Sequence, residues 1–424
     1  MITVVIDALP LSGNPLSPAD HGDFLAGRAV VAPILDMNGM GGVATLDTVG
    51  LGRVELVARP MTWSDAEPLR PEHLLAHFRD PVVPRWAEPA ELTYDAGRLV
   101  ARWPYDPALL VAMLRLPDWA PRRGTSSPFR VGQPTLGPYV VEAAAADEVL
   151  LEPNPHQAHG GQPIRLVVEA DPSAGVTAFL DGEVDLTCGT VFTKELLAEL
   201  ADHPDLIARS SSIHAFLEFG ARSCVEHHAR CGIVDAMADV NIHTVTGGLL
   251  TQPPGARARR TRTHFRHGSR PMNLLYADFA PNDAVVAALC EASRAVGYEL
   301  GPEPVSWRAY TDRMLDGDFD AAYVLQPDHL DHPIFDVGPW HSACRYAQSR
   351  AFSSPDLDVL IDDALTLGSL DRWRQAQALL QRLAPRLLLG RTRVHMLSRV
   401  GRSNDLFDQH GSPVFHRLRP QVIR

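Results

Sequence analysis

The sequence predicts an α/β protein with two separate α/β regions and an inserted or appended β-rich subdomain. Two stretches alternate strand and helix, at 164–219 and at 272–325, and a turn-rich stretch at 36–136 does not. Alternation at this spacing gives sheets with at least partly parallel strands, because each helix returns the chain to the starting edge.

The second alternation is the clearer. "MNLLYADF" (272–279) reads as a buried strand, and Pro281 and Asn282 open a helix with Val285, Val286, Leu289 and Val296 on one side. Gly297 stops it, and "YELGPEPV" (298–305) is the next strand. Ser306 caps a short helix bearing Trp307, Tyr310 and Met314, Gly317 ends it, and "FDAAYVL" (319–325) is the third strand.

In the first alternation, "IRLVVEA" (164–170) is a strand and Pro172 and Ser173 start a helix that ends at Gly182. "VDLT" is a short strand, "TKELLAELA" a helix, and "IHAFLEFG" a strand placed to cross into the next lobe. The N-terminal "MITVVIDALP" also reads as a strand. Pro355, behind Ser353 and Ser354, opens a late helix whose stripe is Leu357, Leu360, Ile361, Ala364 and Leu365. A second helix, from about Asp371 to Leu383, turns Trp373, Ala376, Leu380 and Leu383 inward. Both stripes read as core packing. Within 36–136 the strand-like pieces are 53–59 and 91–103.

Composition narrows the function. The 424 residues are 45% hydrophobic and 21% charged, values of a globular protein with a sizeable core. A net charge of −12 argues against general nucleic-acid binding, which needs basic side chains to displace counterions. Residues 257–270 run against that balance with six arginines, and read as a solvated surface loop. Cys188, Cys224, Cys231, Cys290 and Cys344 are too scattered for a disulfide framework and fit a reducing compartment better. No apolar run is long enough to span a membrane, so no membrane insertion is expected. The N-terminus lacks the order of features of a leader peptide, so the sequence as written reads as cytoplasmic, or as extracytoplasmic once a leader has been removed. A monomer is expected.

No nucleophile elbow, Walker loop, HExxH or Gly-rich dinucleotide turn is present, so no catalytic residue and no cofactor is assigned. Cys224, His227, His228 and Cys231 have zinc-ligand chemistry at one-face helical spacing. Four side chains along one straight helix spread over about 10 Å, too far to surround one ion. "DHLDH" (328–332) mixes two histidines with two aspartates, a pattern open to nickel or zinc. No metal site is assigned to either.

Three segments carry a family resemblance. They are "ELVARPMTWSDAEPLRPEHLLAHFR" (55–79), "LGPYVVEAAAADEVLLEPNPHQAHGGQPIRLVV" (136–168) and "SAGVTAFLDGEVDLTC" (173–188). The first resembles a strand, an aromatic, an Asp-Gly turn and an acid-led helix. The second is similar to a Gly-Pro-Tyr strand, a hairpin and an Asn-Pro segment. The third is similar to a helix followed by a Gly-Glu-Val-Asp strand. With "DGDFDAAYVL" and "FSSPDLDVLIDDAL" they make the chain resemble the family 5 extracellular solute-binding proteins, which serve transporters for peptides, nickel and related solutes. Ala66 stands where that family has glycine, so the turn is expected to be built differently.

The resemblance implies a two-lobed periplasmic-binding-protein-like fold (type II, cluster C) with a reduced β-rich subdomain. The implied divisions are 1–35 (lobe I), 36–136 (subdomain), 137–215 (lobe I), 216–398 (lobe II) and 399–424 (return to lobe I). It implies a protein that closes on a small polar or peptide-like ligand, without chemistry, and passes it to an ABC permease. The alternatives are a cytoplasmic ligand sensor or an enzyme repurposed from the same scaffold. Peptide-binding members read Phe-Asp-x-x-Arg-x-x-Trp-x-x-Asp after the third strand. Here Phe319 and Asp320 match, while Tyr323, Gln326 and His329 replace the arginine, tryptophan and aspartate. These departures weaken the implication of peptide specificity. They leave Tyr323, Gln326, Asp328 and His329 as candidate ligand residues, with Asp331 as a further carboxylate and Trp340, His341 and Arg345 as lining. Trp63 and Asp65 read as packing and turn residues.

Overall fold

The computed structural model describes residues 1–424 except 8–20, 36–41, 51, 76–90, 117–118, 124–128, 159–160, 170, 221–229, 231–232, 235–236, 238–241, 247, 252–270, 296, 328–331, 344–353, 384–385, 409–411 and 420–424. Three sheets organise it.

Lobe I is a four-stranded sheet of β1 (Ile2–Ile6), β8 (Ile164–Val168), β7 (Glu148–Pro153) and β6 (Tyr139–Ala144), in that order. β1 and β8 are parallel, and β8-β7-β6 is an antiparallel meander. Helix α1 (His21–Val30) packs on it with Leu25, Ala29 and Val30 buried. On α1, the Arg28 guanidinium meets the fully buried Asp408 carboxylate, which ties the helix to the C-terminal segment. Helix α4 (Pro172–Leu180) starts as its sequence directs: Asp171 accepts from the Ser173 N–H at 2.9 Å and Pro172 takes the first turn. "VDLT" contributes only Leu186, which bridges Val4 on one side and Ser398 on the other. The short helix α5 (Lys194–Glu199) follows.

Two long strands leave this lobe. β9 (Leu206–Phe219) pairs antiparallel with β14 (Arg386–Leu397), from Leu206↔Leu397 to Glu218↔Arg386. Their far halves join the lobe II sheet. Its order is β10 (Leu250–Thr251), β14, β9, β13 (Ala321–Pro327), β11 (Met272–Ala277), β12 (Leu300–Val305). Strands β13, β11 and β12 are mutually parallel where they pair, as the alternation predicts. Helices α6 (Asn282–Ala295) and α7 (Trp307–Asp316) cover opposite faces: Val285, Val286 and Leu289 enter one core, Tyr310 the other.

The subdomain is an antiparallel sheet of β2 (Ala44–Gly50), β3 (Arg53–Ala58), β5 (Arg98–Arg102) and β4 (Glu91–Asp95). The 91–103 stretch is thus two strands, turned by Ala96 at φ 48° and Gly97 at φ 82°. Helix α2 (Pro71–Leu75) and helix α3 (Pro107–Met113) pack beside it. A short helix α8 (Ile334–Val337) follows β13, and α9 (Pro355–Leu367) and α10 (Leu370–Leu383) carry the two late stripes. Leu357, Ile361, Trp373 and Ala376 lie in one continuous core with Leu56, Leu99 and Trp103 of the subdomain. The Asp106 N–H donating to the Leu365 carbonyl at 2.9 Å joins the two parts through the backbone as well.

His395, on the lobe I half of β14, is 7% exposed, and its Nδ1 has no hydrogen-bond partner among the described residues. Burial, helped by the nearby Arg393 charge, lowers its pKa to about 4. The unfolded chain therefore takes the proton first. The resulting stability is complete above the ordinary histidine pKa and is lost as pH falls toward 4. Between pH 7.5 and pH 4.5 the group removes about 2–3 kcal/mol. Urea unfolding at both pH values checks this: His395→Gln flattens the difference by that amount, and an unchanged slope rejects it.

Candidate ligand-binding site

The lobes meet along a short stretch of β9 and β14. β14 carries irregularities between Leu388 and Gly390 and between Arg391 and Arg393, at the level of Ser210 to Ala215. Such bulges bend and twist paired strands locally. Across this stretch the Arg391 Nε donates to His214 Nε2 at 2.8 Å.

Both lobes bring loops to the same level. From lobe II, β13 ends with Gln326 opposite His214 and Pro327 opposite Ile213. From lobe I, the segment after Leu186 runs along β14: the Thr187 N–H donates to the Leu397 carbonyl, and a Cβ on Gly189 would lie 2.4 Å from Val394 Cγ1. At its end the Thr190 hydroxyl donates to Asp7 Oδ2 at 2.8 Å, and Cys188 Sγ lies 3.1 Å from the same hydroxyl. Asp7 sits at the carboxyl end of β1, the edge where open α/β sheets take ligands. Burial, then the Asp7 charge, push the Cys188 thiol up to about 12, so it stays protonated and is no nucleophile at neutral pH. A small pocket of about 20 Å³ lies here, with Leu186, Cys188, Thr190 and Val394 among its lining.

A second small pocket, also of about 20 Å³, lies where lobe I meets the subdomain. Trp63, Arg122, Arg123, Gln133, Thr135 and Leu136 are among its lining. The Trp63 Nε1–H donates to His73 Nδ1 at 3.3 Å, and the Arg70 N–H donates to the same nitrogen at 3.1 Å. A nitrogen accepting twice carries no proton, in keeping with a His73 pKa lowered chiefly by burial. The Arg122 N–H donates to the His73 carbonyl, and Arg123 pairs with Asp65 at 2.5 Å. Thr135 is held by Ser64 and by the Tyr139 carbonyl.

The Asp65 turn corrects one expectation. Ala66 takes φ 70°, the left-handed conformation that suits glycine, and its N–H donates to the Trp63 carbonyl at 3.0 Å. The turn keeps the glycine geometry, at a cost carried by alanine. Ala66→Gly raises stability by up to about 1 kcal/mol; a fall in the thermal midpoint rejects this.

The expected ligand residues are placed unevenly. Tyr323 is 4% exposed among the lobe II core residues, where burial raises its pKa. Trp340 is 1% exposed in the core shared by the subdomain and α9–α10. Both rings are packed by apolar neighbours in this arrangement of the lobes. Gln326 accepts from Arg386 Nη1 at 2.9 Å, and the Arg386 guanidinium lies 5.8 Å from the Trp340 ring. That arginine gathers Gln326, Asp336 and Trp340 at the edge of lobe II. His341 Nε2 lies 3.3 Å from Asp362 Oδ1. Asp328, His329, Asp331 and Arg345 lie outside the described residues, as do Cys224, His227, His228, Cys231 and the arginine-rich 257–270. The sequence reading missed Asp7, Thr190, Arg122, Arg123 and Gln133. Asp7 and Thr190 had a signal, since each follows a stretch read as a strand; the other three had none.

Two α/β lobes on two crossing strands, with a third subdomain, define the two-lobed binding-protein fold. Solved structures share it. The murein tripeptide binding protein MppA of Escherichia coli matches with a TM-score of 0.82 at 15% identity, over 97% of this chain and 96% of that one. Haemophilus influenzae OppA in complex with the peptide RPPGFSPFR matches at 0.82 and 13% identity, over 99% and 98%. Brucella suis NikA in complex with Fe(III)-EDTA matches at 0.79 and 16% identity, over 99% and 99%. An unliganded open form of MppA matches at only 0.62, over 94% and 92%, with 16% identity. The lobes here therefore stand nearer to the first MppA arrangement than to the open one. No protein-family model and no curated protein matches the sequence.

Proposed function

We propose that this chain is a solute-binding protein that shuts two lobes around a small polar or peptide-like ligand and presents it to an ABC permease outside the cytoplasm. The observation that carries the reading is the pair of crossing strands. β9 and β14 join two separately cored bodies, and the edge loops of both bodies converge on their bulged segment. Such a joint permits hinge closure, and a ligand that touches both bodies favours the shut form by its differential affinity. The extracytoplasmic setting is supported by neighbours that are periplasmic binding proteins. Those neighbours are binding proteins, and no group here is assigned a catalytic step. No helix among the described residues is long and apolar enough to cross a membrane.

Mass spectrometry of small molecules that co-purify with the protein, followed by calorimetry and small-angle scattering with the compound found, tests the reading. Saturable one-site binding with a fall in the radius of gyration is expected. Binding with an unchanged radius removes hinge closure from the mechanism.

A further inference from the structure

We infer that the contact between the start of α3 and the end of α9 is a clasp between the lobes: Asp106 and Gly368 come together when the lobes shut, and hold part of the protein closed before a ligand arrives. The clasp presupposes the hinge described above and adds the contact that sets its balance.

The two sides of this contact belong to different bodies. The subdomain leaves lobe I after α1 and returns to it at β6, and both of its ends are fastened there. The Leu35 N–H donates to the Leu114 carbonyl at 2.9 Å, the Gly137 N–H to the Val30 carbonyl at 3.0 Å, and the Asn154 amide to the Thr135 carbonyl at 3.3 Å. The segment of α8, α9 and α10 leaves lobe II after β13 and returns to it at β14. Arg386 fastens it there by donating to Gln326 and Asp336. Each part has packing of its own: α3 lies against β2 and β3, while α8 and α9 lie against α10. Rotation about β9 and β14 therefore carries the start of α3 away from the end of α9.

The groups that meet are committed on both sides. Asp106 is the N-cap of α3 and accepts from the Ala108 N–H at 2.9 Å, so its carboxylate cannot turn away without losing the cap. Its own N–H donates to the Leu365 carbonyl at 2.9 Å, in the last turn of α9, where carbonyls lack helical partners. Gly368 caps α9 at φ 60°, and a Cβ there would stand 3.3 Å from Asp106 Cγ and 3.5 Å from Asp106 Oδ2. A bare glycine lets the carboxylate lie against the helix end. The contact is built to release. A hydrogen bond exchanged for water contributes little net, and a carboxylate beside the negative end of a helix opposes it. The apolar neighbours around the junction supply the attraction. A partly shut free protein lowers the free energy a ligand must supply to finish closure.

Small-angle scattering of the protein, dialysed free of small solutes, tests this. Gly368→Asp sets a second carboxylate against that of Asp106, and Gly368→Asn is its uncharged match; both residue types tolerate the left-handed cap. Asp106→Cys with Gly368→Cys places two Cβ atoms about 3.5 Å apart, within disulfide reach, and staples the clasp on oxidation. We expect the radius of gyration to rise from the oxidised staple through wild type to Gly368→Asp. The excess of Gly368→Asp over Gly368→Asn should shrink at high salt, where the repulsion is screened. Thermal midpoints show which variants fold. A folded Gly368→Asp with the wild-type radius overturns the clasp. Should that variant not fold, Asp106→Pro decides in its place: the φ of −56° suits proline, and the ring deletes the N–H that Leu365 accepts, so a wild-type radius there overturns the clasp equally. If the clasp falls but oxidising the staple still shrinks the protein, the lobes open without regard to the contact and the hinge stands. If the staple changes nothing either, the hinge falls with it.

Discussion

Arg386→Met lowers the stability of the protein by about 3–5 kcal/mol, the usual result of breaking a buried, hydrogen-bonded charge pair from one side. Arg386 opens β14, and its side chain is 7% exposed. It donates to Gln326 Oε1 at 2.9 Å, to the Asp336 carbonyl at 2.7 Å and to Asp336 Oδ1 at 3.1 Å. Its guanidinium stacks 4.1 Å from the Phe216 ring, and Glu218, whose side chain is 2% exposed, lies 3.9 Å away. Removing the cation takes the donor away from Gln326 and Asp336 and a positive charge away from the buried Glu218 carboxylate, 3.9 Å from it. Converting Glu218 to leucine in the same chain removes that buried carboxylate as well and recovers more than half of the loss. Urea unfolding of the two variants at neutral pH checks the pair. A single variant with the wild-type midpoint removes Arg386 from the stability of lobe II. The network also has a positional role. It fixes the end of β13 and the start of α8 against a crossing strand, so the single variant is expected to loosen ligand closure as well.

Gly137→Ala costs about 3 kcal/mol, at the upper end of what overpacking does. Gly137 lies where the chain leaves the subdomain for β6, and its N–H donates to the Val30 carbonyl at 3.0 Å. A Cβ there would stand 2.3 Å from the Val30 carbonyl carbon, 2.5 Å from the Val31 nitrogen and 2.7 Å from the Ala29 oxygen. All three are backbone atoms, so no side chain can swing aside. The Asn154 amide, 2% exposed, donates to the Gly137 carbonyl at 2.9 Å and closes the other escape. Val30 and Val31 also line the pocket beside Trp63, so the backbone that moves is part of its wall. Gly50→Ala is the control: no atom lies within 4 Å of its added Cβ, and it should change stability by less than about 0.5 kcal/mol. Equal midpoints for the two variants would remove the steric account.

Residues whose roles are set locally were legible. Ser306 caps α7 by accepting from the Ala309 N–H, Ser354 caps α9 by accepting from the Leu357 N–H, and the Leu357 to Leu365 stripe is buried as its spacing requires. Residues set by distant chain were not. Tyr323 and Trp340 were read as candidate ligand residues from their places in a family pattern, and their burial among residues of other segments was not legible there. The hairpin inside 91–103 was missed because an Asp-Ala-Gly turn is a weaker signal than Asn-Gly or Asp-Gly. The strand at 386–397 was missed because its identity lies in its pairing with β9 and not in its own alternation.

Local periodicity and capping therefore determined the α/β class, the order of the alternating elements and the presence of two α/β regions with a β-rich addition. They act over one or two turns of chain, where side-chain spacing alone decides which face is apolar. The tertiary structure decided which strands cross between lobes, where the late helices bury their stripes, and which polar groups meet in a cavity. Leu206 pairs with Leu397 and Arg123 with Asp65, contacts no short-range pattern encodes, because they exist only once separate cores have condensed and brought distant segments side by side.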